Sequence, residues 1–305
     1  MSRVETTEQK SVTRKVQSFY ASLPFNFHHS KEQASETLRE ENPVEFYKNL
    51  DALLRRTNGA TRVLDVGCGA GWFVNSVAFH YGLSVVGIDL CEVALERAQA
   101  VSRELGVSER TRFQLKDLLE GEAFSEEFFL VNSIGVLHHT FDCHASLAQI
   151  CQWVQPGGYL HLGLYHRYGR EPFLQLFQEY RNQLRAAKTA DAQEAITRRA
   201  YDHYKAINRH CRDELFLTSW FKDQVLHPHE SQHTVEELFG WLAELGFTCL
   251  STSINQFEPI SSWQEIFQEE KKLSRLSYQR NVVEQRYFPG FFTLLARRKD
   301  VSGAA

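Results

Sequence analysis

This chain has no run of about 18 apolar residues, which excludes a membrane-spanning helix. Its opening segment, MSRVETTEQKSVTRK, is polar and charged and lacks the apolar stretch of a secretory signal. The two absences predict a cytoplasmic protein without a membrane partner. Cys68, Cys91, Cys143, Cys151, Cys211 and Cys249 include no C-x-x-C pair, so neither a disulfide framework nor a cysteine zinc site is predicted. They read as free thiols. Basic charge is scarce as well: 34 Lys and Arg stand against 38 Asp and Glu, a net charge of -4, with no basic stripe interleaved with stacking aromatics. A nucleic-acid partner is therefore not expected. Internal repeats and low-complexity stretches are missing, and only roughly the first dozen residues and the VSGAA tail read as disordered. What is abundant is apolar content, 43%, enough for a large core in one or two domains.

The most telling segment is VLDVGCGAGWF, Val63 to Phe73. Val63, Leu64 and Val66 suit a buried parallel strand, and Gly67, Gly69 and Gly71 let the backbone turn tightly and approach a ligand that any Cβ would obstruct. Asp65 within that strand needs donors, from loop amides or a ligand ammonium. A dinucleotide fingerprint requires G-x-G-x-x-G, but Trp72 occupies the position of its third glycine. The next strand candidate, SVVGIDL, ends in Asp89, about 20 residues beyond the loop, where an acid accepts ribose hydroxyls. A third candidate, TRFQLKDLLE, ends in Lys116, Asp117 and Leu118. A fourth, FFLVNSIGVLHHT, runs from Phe128 to Thr140, and WVQPGGYLHLGLYHRYGR contains a Pro156-Gly157-Gly158 turn feeding a fifth.

These landmarks, in this order, resemble the class I S-adenosylmethionine-dependent methyltransferases, in particular the ubiquinone and menaquinone methylase-like group. The resemblance is close over roughly residues 50–166 and topological elsewhere. It implies an α/β, Rossmann-like, doubly wound seven-stranded sheet of order 3-2-1-4-5-7-6 with the seventh strand antiparallel. It also implies S-adenosylmethionine as cofactor, held by Asp65, Gly67, Cys68, Gly69, Asp89, Leu90, Asp117, Leu118, Ser133, Gly135 and His138. Asp89 takes the ribose role and Asp117 the adenine role, although Asp117 read alone also suits a helix cap.

Breakers and periodicity divide the chain into an N-terminal helical lid segment (1–50), a cofactor-binding core (51–168), a helical insertion acting as a substrate cap (169–233) and the completion of the sheet (234–300). Val16, Phe19 and Tyr20 share one helical face, and Asn42-Pro43 offers a cap and an N1 proline for a helix through Phe46, Leu50 and Leu53. Thr234 and Glu237 form a capping box ahead of Leu238, Trp241, Leu242 and Leu245. A helix is predicted near Trp263 to Leu273, and FTCLSTS and FFTLLARR are the sixth and last strands.

Methyl transfer from a sulfonium is an in-line displacement, so alignment and water exclusion dominate, with one base where the acceptor carries a proton. His138 is the first candidate, followed by His166 and by His229 in WFKDQVLHPHESQH. His227, His229, Glu230 and His233 attract a metal reading, but Pro228 breaks H-E-x-x-H geometry and no cysteine is near, so no metal is predicted. The loop is read as solvent-facing, or as delivering His229 or His233 to the substrate. Tyr20, Phe25, Asn26 and Phe27 suit a lid or a hydrophobic anchor; Tyr165, Arg167, Tyr168 and His233 suit the acceptor side. Arg167 or Arg170 suits an anionic acceptor group, a solvated surface or a clamp on the insertion. The expected function is methyl transfer to O, N or S of a small-molecule acceptor. A macromolecular methyltransferase, disfavoured by the lack of an N/D-P-P-Y motif, and a non-catalytic S-adenosylmethionine-binding protein are the alternatives. Acceptor identity and oligomeric state are not encoded in any motif.

Overall fold

The computed structural model describes residues 7–22, 24–25, 30–118, 124 and 127–300. The short β-branched and apolar runs become strands β1 (Arg62–Val66), β2 (Ser84–Asp89), β3 (Thr111–Leu115), β4 (Phe128–Ile134), β5 (Val154–Tyr165), β6 (Phe247–Thr252) and β7 (Phe291–Arg298). They form one sheet in the order β3-β2-β1-β4-β5-β7-β6, the order expected. Only β7 runs antiparallel to its neighbours, β5 and β6. The sequence direction reverses at β1, so the carboxyl ends of β1 and β4 flank the crevice in which sheets of this kind bind ligands.

The fifth strand departs from expectation at both ends. It includes the Pro156-Gly157-Gly158 turn, which the sheet accommodates as a register shift opposite Phe128 and Leu130. It stops at Tyr165, because His166 turns the chain and accepts the Gly169 amide on its side chain; Arg167 and Tyr168 thus open a helix and do not end a strand.

Helices cover both faces. They are α1 (Thr7–Ser22), α2 (Lys31–Glu40), α3 (Lys48–Leu54), α4 (Trp72–His80), α5 (Glu92–Leu105), α6 (Cys143–Cys151), α7 (Arg167–Ala186), α8 (Ala190–Ile207), α9 (Glu214–Phe221), α10 (Val235–Glu244), α11 (Trp263–Lys271) and α12 (Leu273–Tyr278). Helix α1 carries the expected helical residues Val16, Phe19 and Tyr20 and begins earlier, at Thr7, within the first dozen residues expected to be disordered; the VSGAA tail lies outside the described residues. Helix α2 was not predicted: its sequence, KEQASETLRE, buries only Ala34, Ser35 and Leu38, too narrow an apolar stripe to read, and Ser30 caps it through the Gln33 amide. Asn42 and Pro43 start a 3-10 turn, Pro43–Phe46, before α3. Thr234 and Glu237 do form the capping box of α10.

Between β5 and β6 the chain builds α7, α8 and α9, followed by a π-helical turn, Lys222–Leu226. These helices have their own core, with Phe173, Phe177, Tyr204 and Phe221 buried against one another. Burial of each phenyl ring contributes about 1.5–3 kcal/mol, which accounts for folding of a segment so rich in charge. No described helix is long and apolar enough to cross a membrane.

Candidate functional site

One cavity of about 420 Å³ spans the carboxyl ends of β1 to β5, within the ~300–1,000 Å³ usual for small-molecule sites. Its floor is the glycine loop. Gly67, Gly69 and Gly71 have φ of 71°, 50° and 83°, in the left-handed region. They serve different ends. A Cβ on Gly67 would lie 2.4 Å from Val136 Cγ2, and one on Gly71 2.7 Å from the Ala98 Cβ, so both are required by packing. A Cβ on Gly69 meets nothing within 4 Å, so this residue faces open cavity.

Asp89, at the end of β2, is held in two directions: Gly69 N–H donates to Oδ2 and Cys91 N–H donates to Oδ1, each at 2.8 Å. Burial raises its carboxyl above the ordinary range, opposed by these backbone donors. Gly67, Gly69, Asp89, Leu90, Asp117, Leu118, Gly135 and His138 all line the cavity. Asp65, Cys68 and Ser133 do not; they lie beneath it. Asp65 Oδ1 accepts from Asn132 Nδ2 at 2.7 Å, and Asn132 Oδ1 accepts from His161 Nδ1 at 2.7 Å, a buried chain across the paired positions of β1, β4 and β5. Burial pushes Asp65 up to about 7 and His161 down to about 3.

The other end of the cavity is assembled from distant segments. Tyr20 from α1, His138 and His139 after β4, Tyr165 at the end of β5, and Asp223 and Gln224 on the π-helical turn meet there. Tyr20 Oη donates to Asp223 Oδ1 at 2.5 Å and Tyr165 Oη to Oδ2 at 2.9 Å. Burial raises the Asp223 carboxyl, against the pull of His227 and the two hydroxyls. The histidines form a directional chain. His139 Nδ1 faces the His229 carbonyl at 2.9 Å and must donate; its Nε2 then accepts from His138 Nε2 at 3.1 Å. His138 Nδ1 accepts the Tyr165 amide at 3.4 Å. Burial lowers His139 to about 4 and also lowers His138, well below the ordinary imidazole range. Both rings are neutral near pH 7 and weak proton acceptors. Phe25 lies on the same wall, stacked on Trp220 at 5.5 Å, and both line the cavity. Asn26 and Phe27 lie outside the described residues.

The HPHESQH loop is not solvent-facing. Ser231 N–H donates to the His138 carbonyl, His233 N–H to the Tyr165 carbonyl, and Arg167 N–H to the His233 carbonyl, so the loop threads between the ends of β4 and β5. It brings His227 to the site, stacked on His139 at 3.6 Å, and turns the His229 and His233 side chains away from the cavity lining. His233 Nε2 pairs with Ser231 Oγ at 2.8 Å.

His166, Arg167 and Tyr168 also lie off the cavity. His166 is fully buried and bonds Glu270 Oε2 at 2.8 Å, while Glu270 accepts the first amides of α10 from Val235 and Glu236. This is a strut between α7, α10 and α11, built because a helix N-terminus and an imidazole both present donors to one carboxylate. Arg167 forms a half-exposed pair with Glu237. Arg170 is the clamp: it is fully buried, bidentate to Glu230 at 3.1 and 2.8 Å, bonded to the Gln224 side chain and carbonyl, and 3.8 Å above the Tyr165 ring. Sequence reasoning did not single out Asp223, and it placed His138 and His139 together with one in the cleft and the other turned away, whereas both line the cavity. Asp223 had no signal, since a lone acid in a charged segment is unremarkable; His139 was visible beside His138, but its contacts are not.

A family model described as a methyltransferase domain matches residues 57–198. An uncharacterised protein from Synechococcus sp. is 29% identical over 235 residues, covering 68% of this chain and 56% of that protein. A ubiquinone biosynthesis O-methyltransferase from Hahella chejuensis is 37% identical over 107 residues, covering 35% of this chain and 44% of that enzyme. In both cases the chain spans about half the length of the relative it matches. Among solved structures, PKMT2 from Rickettsia typhi in complex with AdoHcy superimposes with a TM-score of 0.54 at 14% identity, covering 80% of this chain and 49% of that one. That likeness is one of fold.

Proposed function

We propose, for a chain that belongs to the class I S-adenosylmethionine-dependent methyltransferases, that it moves a methyl group from S-adenosylmethionine to a small-molecule acceptor in the cavity above β1 to β5. The observation that carries this reading is the division of one cavity into two chemically different ends. The glycine-loop end fits the cofactor: Gly69 leaves an open cradle that a Cβ would fill, and Asp89 offers a carboxylate whose two oxygens are already turned toward loop donors. Gly67, Leu90, Asp117, Leu118 and Gly135 complete that end. Bound there, the cofactor supplies an electrophilic methyl group on sulfur.

The acceptor end is the Tyr20, Phe25, His138, Tyr165 and Asp223 wall. Its residues orient the acceptor and exclude water, the main demands of an in-line displacement. A buried imidazole lowered to about 4 is poorly matched to removing a proton at pH 7, so His139 serves position and hydrogen bonding ahead of base catalysis. Helix α1 and the insertion 169–233 form the cap over that end, in a cytoplasmic enzyme. The cavity volume of about 420 Å³ favours a small acceptor over a macromolecular segment.

The test is calorimetry with S-adenosylmethionine, S-adenosylhomocysteine and NAD, followed by transfer of labelled methyl to fractionated extract. Binding of the first two, silence with NAD and label in the small-molecule fraction are expected. Asp89→Ala should weaken cofactor binding by about 1.5–3 kcal/mol, the worth of hydrogen bonds to a charged group. Failure to bind either sulfur compound would overturn the reading; label in protein or RNA would move it to the macromolecular alternative.

A further inference from the structure

Asp89, Asp117 and Asp223 line the cavity, and of these only Asp223 stands at the acceptor end. It is buried, and its oxygens accept Tyr20 Oη, Tyr165 Oη and the Gln224 side-chain amide, all uncharged donors. His139 Nε2 lies 3.7 Å from Oδ1 but accepts from His138, and His227, stacked on His139, accepts the His229 amide on Nδ1. Both rings are neutral near pH 7. Arg170 is the cation that reaches this region, and its guanidinium is taken by Glu230 and Gln224. Two carboxylates therefore share one guanidinium, and the negative charge left over sits on Asp223. A buried carboxylate without a cation is destabilising, so a ligand that brings the cation is the one this end suits. The rest of the wall has the same preference. Tyr20, Phe25, Trp220, Tyr287 and Phe291 line that end, and aromatic rings attract cations to their faces. The one lysine or arginine lining the cavity among the described residues is Lys116, just after β3 at the cofactor end.

We propose that the methyl acceptor is an amine, bound as its ammonium ion between Asp223 and these rings, and that Asp223 takes the proton the nitrogen must lose. An anionic acceptor would add a second uncompensated charge to the site, and a neutral hydroxyl would leave the first in place. In the reaction an N–H bond of the ammonium breaks and its proton passes to an Asp223 oxygen, which frees the nitrogen lone pair. That pair forms the bond to the methyl carbon as the carbon–sulfur bond breaks and its electrons stay on sulfur. The proton leaves Asp223 for water when the product departs. Burial favours the neutral forms of both partners, which narrows the gap this proton must cross. The neighbouring histidines are not placed for the task, since His138 Nδ1 accepts the Tyr165 amide and His139 Nε2 accepts from His138. That the cation is the methyl acceptor rests on the methyltransferase reading; its binding beside Asp223 does not.

The full chain is titrated by calorimetry at pH 7 with benzylamine, benzyl alcohol and benzoate, probes of similar shape and different charge, with and without saturating S-adenosylhomocysteine. Benzylamine is expected to bind about tenfold more tightly than benzyl alcohol, the difference between a charge-assisted and a neutral hydrogen bond, and benzoate more weakly than either. Asp223→Asn should lose the preference for the amine and keep its affinity for S-adenosylhomocysteine, which also shows that it is folded. In extract, labelled methyl should enter small molecules retained by a cation exchanger, and Asp223→Asn should slow that transfer by more than about 100-fold, the lower range for loss of a general base. Equal affinity for benzylamine and benzyl alcohol overturns the proposal, as does label confined to neutral or acidic compounds. Loss of S-adenosylhomocysteine affinity in Asp223→Asn with the amine preference intact also overturns it, by assigning the carboxylate to the cofactor. Amine preference without S-adenosylhomocysteine binding would sink the methyltransferase reading alone, and the reverse would sink this one alone.

Discussion

Gly67 and Gly69 are two residues apart on one loop, share left-handed backbone angles, and differ in what surrounds them. Alanine at either position carries a backbone strain of about 1–2 kcal/mol. At Gly67 it adds overlap with Val136, worth about 1–3 kcal/mol more, because a packed core yields little. At Gly69 the methyl group enters open cavity. Gly67→Ala should therefore lower the unfolding midpoint by the strain and the overlap together, while Gly69→Ala should lower it by the smaller amount that the backbone strain alone sets and should weaken S-adenosylmethionine binding. Thermal unfolding and calorimetry on the pair decide it; equal cofactor affinity in Gly69→Ala and the parent chain would refute the cradle. The loop's tight, left-handed turn was legible from its spacing, since glycine at alternate positions after an apolar run marks backbone that other residues rarely adopt. Which glycine serves packing and which serves ligand was not, because Val136 and Ala98 approach from other elements.

At the scale of elements, the question is what fixes the HPHESQH loop and the π-helical turn beside the sheet. Arg170 does so from the first turns of α7, by bonding Glu230 on the loop and Gln224 on the turn with one guanidinium. Arg170→Met would leave the Glu230 carboxylate, 5% exposed, without its cation, and removal of one partner from a buried pair costs about 3–5 kcal/mol. The expected result is a lower unfolding midpoint together with faster proteolytic cleavage between residues 222 and 233, and Arg170→Lys should recover little because an ammonium cannot make the fork. Unchanged cleavage in Arg170→Met would mean that the loop is held by its backbone bonds to His138 and Tyr165 instead. This junction marks where reading the sequence stops working. The capping box at Thr234 and the end of β2 at Asp89 were legible because each is a local pattern of side chain and backbone. The burial of His227, Arg170 and Asp223 was not, since it depends on contacts between positions 54 to 203 residues apart. His166 misled for the same reason: it stands at a strand end, where functional side chains gather, yet its partner is Glu270, 104 residues on.

For the whole molecule, the order of the seven strands followed from the resemblance, while helix α2 was missed because its apolar stripe is narrow. The assembled sheet and cap bury several titratable groups at once, and this sets how stability varies with pH. His139 is lowered from 6.5 to about 4, and His161 and His227 to about 3, chiefly by burial. Between pH 6.5 and about 4 the unfolded chain therefore binds protons on these three rings that the folded chain does not, so their contribution is complete above pH 6.5 and is lost as pH falls. Asp65 acts in the opposite sense. Its folded value near 7 lies above the ordinary 3.8, so the folded chain holds the extra proton in that window and acidification relieves the strain of a buried charge. Burial also lowers His138 and raises the Asp89 and Asp223 carboxyls, so four rings stand against three carboxyls and the unfolded state keeps an excess of about one proton near pH 5, a slope of about 1 kcal/mol per pH unit. The unfolding midpoint should fall from pH 6.5 to 4.5. In His161→Phe it should start lower, since Asn132 loses its donor, and fall less steeply, since one proton is removed from the balance. A midpoint that holds or rises on acidification would show that these rings are charged in the folded state, and the neutral histidine chain between Tyr165 and His229 would have to be abandoned.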